Sequence, residues 1–285
     1  MENLISKNRI TKTVGMAFML VALFSSCKKK DDTVEPTTPA PVVITTPTST
    51  TYPLNVKDQL GVTGTVSFAE KSSGSSESVV TIKLTGASAG THPAHIHVNS
   101  AIESGDIAYT LNSVDGTGTS TTTLSVPYST LINFDGYVNV HASVLDIGTI
   151  IAQGDIGGNI LTGDSKTYAL AEDMASGISG SALFQKRKNG NTLVTIDLTS
   201  GGLLPSGDYP AQINLGSVAT IGTPTNKKTL NAVNSATRKS YTNIKTLNDG
   251  TAITFANWLV YDGFITIHDA NDNDKVIAKG NIGAN

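Results

Sequence analysis

Four of the chain's five histidines stand at positions 92, 95, 97 and 141, three of them within His92-Pro-Ala-His-Ile-His-Val98. Imidazole is a ligand for borderline metal ions, and a group of three could hold one ion. In a β-strand, residues two apart share a face at a spacing of about 7 Å. His95 and His97 therefore project together, while Ala94, Ile96 and Val98 face the opposite way. Apolar residues seek the core, so the imidazoles belong on the outer face of the strand. The same parity in Tyr137-Val-Asn-Val-His141 sends Val138 and Val140 inward and His141 outward. If the two strands are neighbours, three ring nitrogens converge on one outer surface. Nitrogens at about 2.0–2.1 Å suit zinc, and imidazole suits copper equally well. His92, at the strand start, is a candidate fourth ligand.

The elements that position these histidines occur twice. Val62-Thr-Gly-Thr-Val-Ser-Phe68 returns as Ile178-Ser-Gly-Ser-Ala-Leu-Phe184, and Val79-Val-Thr-Ile-Lys-Leu-Thr85 as Leu193-Val-Thr-Ile-Asp-Leu-Thr199. The histidine block pairs with Tyr209-Pro-Ala-Gln-Ile-Asn-Leu215, and Thr110-Leu-Asn-Ser-Val114 with Thr229-Leu-Asn-Ala-Val233. Asp135-Gly-Tyr-Val-Asn-Val-His141 pairs with Asp262-Gly-Phe-Ile-Thr-Ile-His268, and Gly154-Asp-Ile-Gly157 with Gly280-Asn-Ile-Gly283. Six blocks in one order mean tandem domains. Period-2 alternation and glycine-bearing turns predict an all-β chain, one Greek-key β-sandwich or barrel per copy. The expected boundaries are 52–159 and 160–285, with a short link that restricts their arrangement. In the second copy Tyr209, Gln212 and Asn214 replace three histidines and only His268 remains, while Ile213, Ile265 and Ile267 keep the core face. Packing therefore does not require the imidazoles. A solvated polar face would also tolerate Gln and Asn, so a metal site and a plain polar face both remain open.

Ahead of the repeats, Lys7, Arg9 and Lys12 precede an apolar run that stops at Ser25-Ser26-Cys27. A positive region, a short apolar region and small residues form a secretory leader, here residues 1–26. Leu23-Phe24-Ser25-Ser26-Cys27 resembles the lipobox of bacterial lipoproteins, in which the cysteine is acylated, although Phe24 departs from the usual leucine. That resemblance makes Cys27, the sole cysteine, the lipidation site and the membrane the first partner. Lys28-Lys29-Lys30-Asp31-Asp32 resembles a surface-export signal of some Gram-negative lipoproteins, which implies the outer membrane, facing outward. Residues 27–51, rich in proline and threonine, read as a disordered, extended tether.

His92-Pro-Ala-His-Ile-His-Val98, Gly136-Tyr-Val-Asn-Val-His141 and Ile-Ala-Gln-Gly-Asp-Ile at 151–156 together resemble the CHRD (chordin-type) domain, strongly in the first copy and weakly in the second. The resemblance implies an extracellular β-rich module. His-x-His on one strand with a later histidine also resembles the copper half of copper/zinc superoxide dismutase. The bridging histidine and zinc loop of that enzyme have no counterpart.

The remaining composition narrows the function. Charged residues make up 15% of the chain and the net charge is −3, falling to −5 once the leader is removed. Nucleic-acid binding, which needs a basic patch, is excluded. Asp269-Ala-Asn-Asp-Asn-Asp274 lacks the glycine and distal glutamate of a calcium loop and reads as an acidic turn. Trp258 reads as core, with sugar stacking as its alternative. No hydrolase elbow or phosphate loop is present. The expectation is a lipid-anchored, non-catalytic binding or adhesion module for a surface protein or glycan, with a metal site in its first domain. A dismutase-like metalloenzyme and a structural spacer are the alternatives.

Overall fold

The structure is a computed structural model describing residues 47–200, 206–219 and 223–285. The leader, Cys27, Lys28-Lys29-Lys30-Asp31-Asp32 and most of the tether lie outside the described residues. The described residues form one compact unit. No helix among the described residues is long and apolar enough to cross a membrane.

Two eight-stranded, barrel-like sheets follow one another. The first comprises β1 (Ser49–Val56), β2 (Thr63–Glu70), β3 (Ser78–Thr85), β4 (His92–Val98), β5 (Ile107–Val114), β6 (Thr119–Leu124), β7 (Asp135–Ser143) and β8 (Asp146–Gly157), with a one-turn helix α1 (Tyr128–Leu131) before β7. β1 opens at Ser49, so Ser49, Thr50 and Thr51 are strand rather than tether. Proline is absent from this stretch until Pro53, and β2 supplies partners from Ala69 onward. The second barrel comprises β9 (Leu161–Glu172), β10 (Ser179–Arg187), β11 (Thr192–Ser200), β12 (Asp208–Leu215), β13 (Asn226–Asn234), β14 (Lys239–Ile244), α2 (Phe255–Trp258), β15 (Asp262–His268) and β16 (Val276–Gly283).

Strand order is β5-β4-β7-β8-β1-β2-β3-β6 in the first barrel and β13-β12-β15-β16-β9-β10-β11-β14 in the second. These are one Greek-key topology written twice. The end strands β5 and β6 meet across a seam that a side chain closes. Asn112 donates its backbone N–H to Thr122 Oγ1 at 2.8 Å and its amide to Thr121 O at 2.7 Å. Asn231 repeats both bonds to Thr242 Oγ1 and Tyr241 O, at 2.9 and 2.6 Å.

Inward-facing residues of both halves build each core. Val66, Phe68, Ile82, Ala94, Ile96, Val138 and Val140 pack together in the first. Their counterparts in the second are Ala182, Phe184, Ile196, Ala211, Ile213, Ile265 and Ile267. Each large aliphatic side chain so buried contributes about 1.5–3 kcal/mol. Trp258 is fully buried against Phe184 and Tyr261, which removes it as a sugar platform. The 269–274 segment is the β15–β16 turn, and its carboxylates serve the turn itself. Asp269 accepts Asn271 N and Lys275 Nζ, both at 3.0 Å, and Asp272 accepts Asp274 N.

Candidate metal centre

β4 and β7 are antiparallel neighbours, with His95 opposite Asn139 and His97 opposite Tyr137. Ala94, Ile96, Val138 and Val140 line the core, so His95, His97 and His141 share the other face. Two irregularities aim the rings. The β4–β5 register shifts between Ile96 and His97, and the β7–β8 register shifts between Val140 and His141. Bulges of this kind re-aim side chains beside functional sites. One ring nitrogen from each of His95, His97 and His141 lies within 4.8 Å of the others, the only such group among the described residues.

The expected outer surface is covered. His97 is 8% exposed and His141 7%, and only His95 keeps a partly open ring. His97 stacks on Tyr137 with centroids 4.9 Å apart and planes 17° from parallel. Its Nδ1 donates to Gly105 O at 2.9 Å, and His141 Nδ1 donates to Ile147 O at 2.7 Å. Carbonyl oxygens only accept, so both Nδ1 atoms carry the proton, and in a neutral ring each Nε2 is left as a bare lone pair. His97 Nε2 is buried without a hydrogen-bond partner, a state that costs about 1–3 kcal/mol unless something meets it. His141 Nε2 faces His95 Nδ1 at 3.3 Å. Without a metal ion, His95 supplies the proton of that contact. With one, His95 can move its proton to its other nitrogen and offer Nδ1 as a third donor.

Burial lowers the His95 pKa below the ordinary 6.5, and the neighbouring His141 and His97 rings lower it further. Burial likewise lowers His141, outweighing the bond to Ile147 O, with His97 adding to the depression. His95 and His141 are thus held in the neutral form that ligates metal ions. The three donors could hold one metal ion, with hydrogen-bonded carbonyls orienting two of the three rings.

His92 is not brought into this group. It is 1% exposed, and its ring nitrogens face His141 O at 3.2 Å and Ser88 O at 3.0 Å. Its parity places it with Ala94 and Ile96, and there it ties residue 88 to β7. The buried Tyr209 stands at this position in the second barrel.

The second barrel keeps the device without the donors. Register shifts recur between Ile213 and Asn214 and between Ile267 and His268. His268 Nδ1 donates to Asn273 O at 2.6 Å, as His141 does to Ile147 O. Its Nε2 contacts Thr266 Oγ1 at 2.9 Å, and Asn214 Nδ2 donates to the same oxygen at 3.0 Å. Amide nitrogen, hydroxyl and imidazole partner one another there, while Asn214 Oδ1 stays buried without a hydrogen-bond partner. The backbone carbonyls at Gly105 and Ile147 escape sequence reasoning, because any residue type supplies a carbonyl. No family model matches the chain, and no curated protein matches it either.

Proposed function

We propose that the chain is a lipid-anchored cell-envelope protein whose first barrel binds one copper or zinc ion through His95, His97 and His141. The observation that carries this reading is the convergence of three ring nitrogens within 4.8 Å, with two outer nitrogens fixed on backbone carbonyls. The metal sits in a non-catalytic binding module of CHRD type, held at the outer membrane by an acylated Cys27, for a surface protein or glycan. The leader, the lipobox-like Ser25-Ser26-Cys27 and the histidine motifs support that context. Copper is the tighter ligand of the two, since divalent affinities for such a site rise to a maximum at copper.

The test is electron paramagnetic resonance of the full chain loaded with one equivalent of Cu²⁺. The reading expects coupling to three nitrogens, reduced in His97→Ala. A spectrum of aqueous copper would count against it. One observation favours the enzyme alternative: the partly open His95 ring leaves the site reachable from solvent. Superoxide dismutation by the copper-loaded chain separates that alternative from a binding module.

A further inference from the structure

The ring of His97 is fixed by the carbonyl of Gly105, so whatever fixes Gly105 fixes the donor. Gly105 closes the loop at 99–105, which contains two left-handed residues, Asn99 (φ 67°) and Ser104 (φ 63°). Its backbone also hydrogen-bonds the Tyr137 hydroxyl, so one residue braces both members of the His97–Tyr137 stack. Within the loop, Glu103 Oε2 accepts from Ser100 N at 3.0 Å and from Ser100 Oγ at 2.7 Å.

The rest of the support comes from the other barrel. Lys245 Nζ lies 3.3 Å from Glu103 Oε1 and 3.4 Å from Asn99 Oδ1. Asn243 Nδ2 donates to Glu103 Oε2 at 2.9 Å. Ala101 N donates to Asp155 Oδ1 at 2.8 Å, and Asp155 Oδ2 receives Arg187 Nη1 at 2.6 Å. Burial alone would raise the Glu103 pKa, but the bonds from Ser100 and Asn243 and the charge of Lys245 lower it.

The residues that reach across are those in which the second barrel departs from the first. By strand register Arg187 stands where the first barrel has Lys71, Asn243 where it has Thr123, and Lys245 where it has Ser125. The barrel that carries one histidine against the other's four supplies the side chains that grip its neighbour's loop.

We infer that the second barrel is a positioning module for the first barrel's histidine cluster, acting from Lys245, Asn243 and Arg187 through residues 99–105 on His97. Its consequence for metal affinity rests on the metal-binding reading, whereas its geometry does not. The experiment uses the full chain with ¹⁵N-labelled histidine, observed before and during titration with Zn²⁺. In the Lys245→Met/Asn243→Ala variant, the Nδ1 proton of His97 is expected to exchange with water at least about tenfold faster. The Nδ1 proton of His141, held by Ile147 outside the loop, stays protected and reports a folded barrel. Zinc affinity falls about tenfold, the lower end of what orienting partners contribute to a metal site. Lys245→Arg, which keeps the charge and leaves Asn243 in place, retains both signals. Glu103→Gln, a smaller change, moves the His97 proton in the same direction and covers a double variant that fails to fold. Unchanged exchange and unchanged affinity in the variants would overturn the inference while leaving the metal site standing. A His97 proton that responds in a chain binding no zinc would overturn the metal reading and leave the positioning role intact.

Discussion

Asp155 and Asn281 hold equivalent positions in the two barrels and accept equivalent bonds, from Ala101 N and Val218 N, each at 2.8 Å. The carboxylate differs from the amide by what it meets on its other side. Arg187, fully buried at the junction, bonds Asp155 Oδ2 and the Asn159 carbonyl. One change of residue type in a repeated motif thus marks where one barrel rests on the next.

Asp155→Asn keeps the acceptor for Ala101, as Asn281 does for Val218, but leaves the Arg187 guanidinium without its carboxylate. Removing one partner of a buried pair costs about 3–5 kcal/mol. Urea unfolding of the full chain should show a loss of that order, partly relieved because Asp155 is not wholly buried. A loss below about 1 kcal/mol would place the pair with exposed bridges of little consequence.

At Gly105 a side chain has no room. A Cβ there would collide with the carbonyl oxygen of Val98 and crowd its side chain. Gly105→Ala should destabilise the protein by about 1–3 kcal/mol, the usual range for overpacking. It should also weaken zinc binding, because the carbonyl that orients His97 is displaced. Isothermal titration with zinc and thermal unfolding without it check the two effects separately. If binding is unaltered, the carbonyl does not set the ring.

Proton linkage gives a third expectation. His95 and His141 titrate below 6.5 in the folded chain, by burial first. As pH falls through about 6.5 the unfolded chain takes up these protons and the folded chain does not. Metal-free stability therefore falls from about 6.5 down to the lowered folded values and then levels. Melting temperatures compared at about pH 7.5 and about pH 5 should differ less in His95→Gln, which installs the residue that the second barrel carries at this place. Metal affinity should weaken once the pH passes below those folded values, because protons then compete for the His95 and His141 nitrogens. An equal pH response in wild type and variant would remove His95 from the linkage.

Much of this arrangement is legible in residue order. Six repeated blocks predict two like domains, and both barrels have one strand order. The alternation of Ala94, Ile96 and Val138, Val140 with histidine predicts the shared face, and β4 pairs with β7 as that face requires. Parity also argues against His92, which lies an odd number of positions from His95 and so on the core side. What residue order hides is the cover. Alternation says which way His97 points, and a loop from 99 to 105 decides that it is buried. The two carbonyls orienting His97 and His141 carry no side-chain signature. The junction leaves a fainter trace, since Arg187, Asn243 and Lys245 show themselves only when each is set against its repeat counterpart.

Metal content measured by mass spectrometry decides whether His95, His97 and His141 hold one metal ion. The full chain would be loaded with copper and, separately, with zinc, cleared of excess, and compared with His95→Ala/His97→Ala and with His92→Gln. About one ion per chain, the stoichiometry of a single three-histidine site, is expected in wild type and in His92→Gln, and none in the double variant. A wild-type chain that retains no metal, or a double variant that retains as much, would contradict the claim.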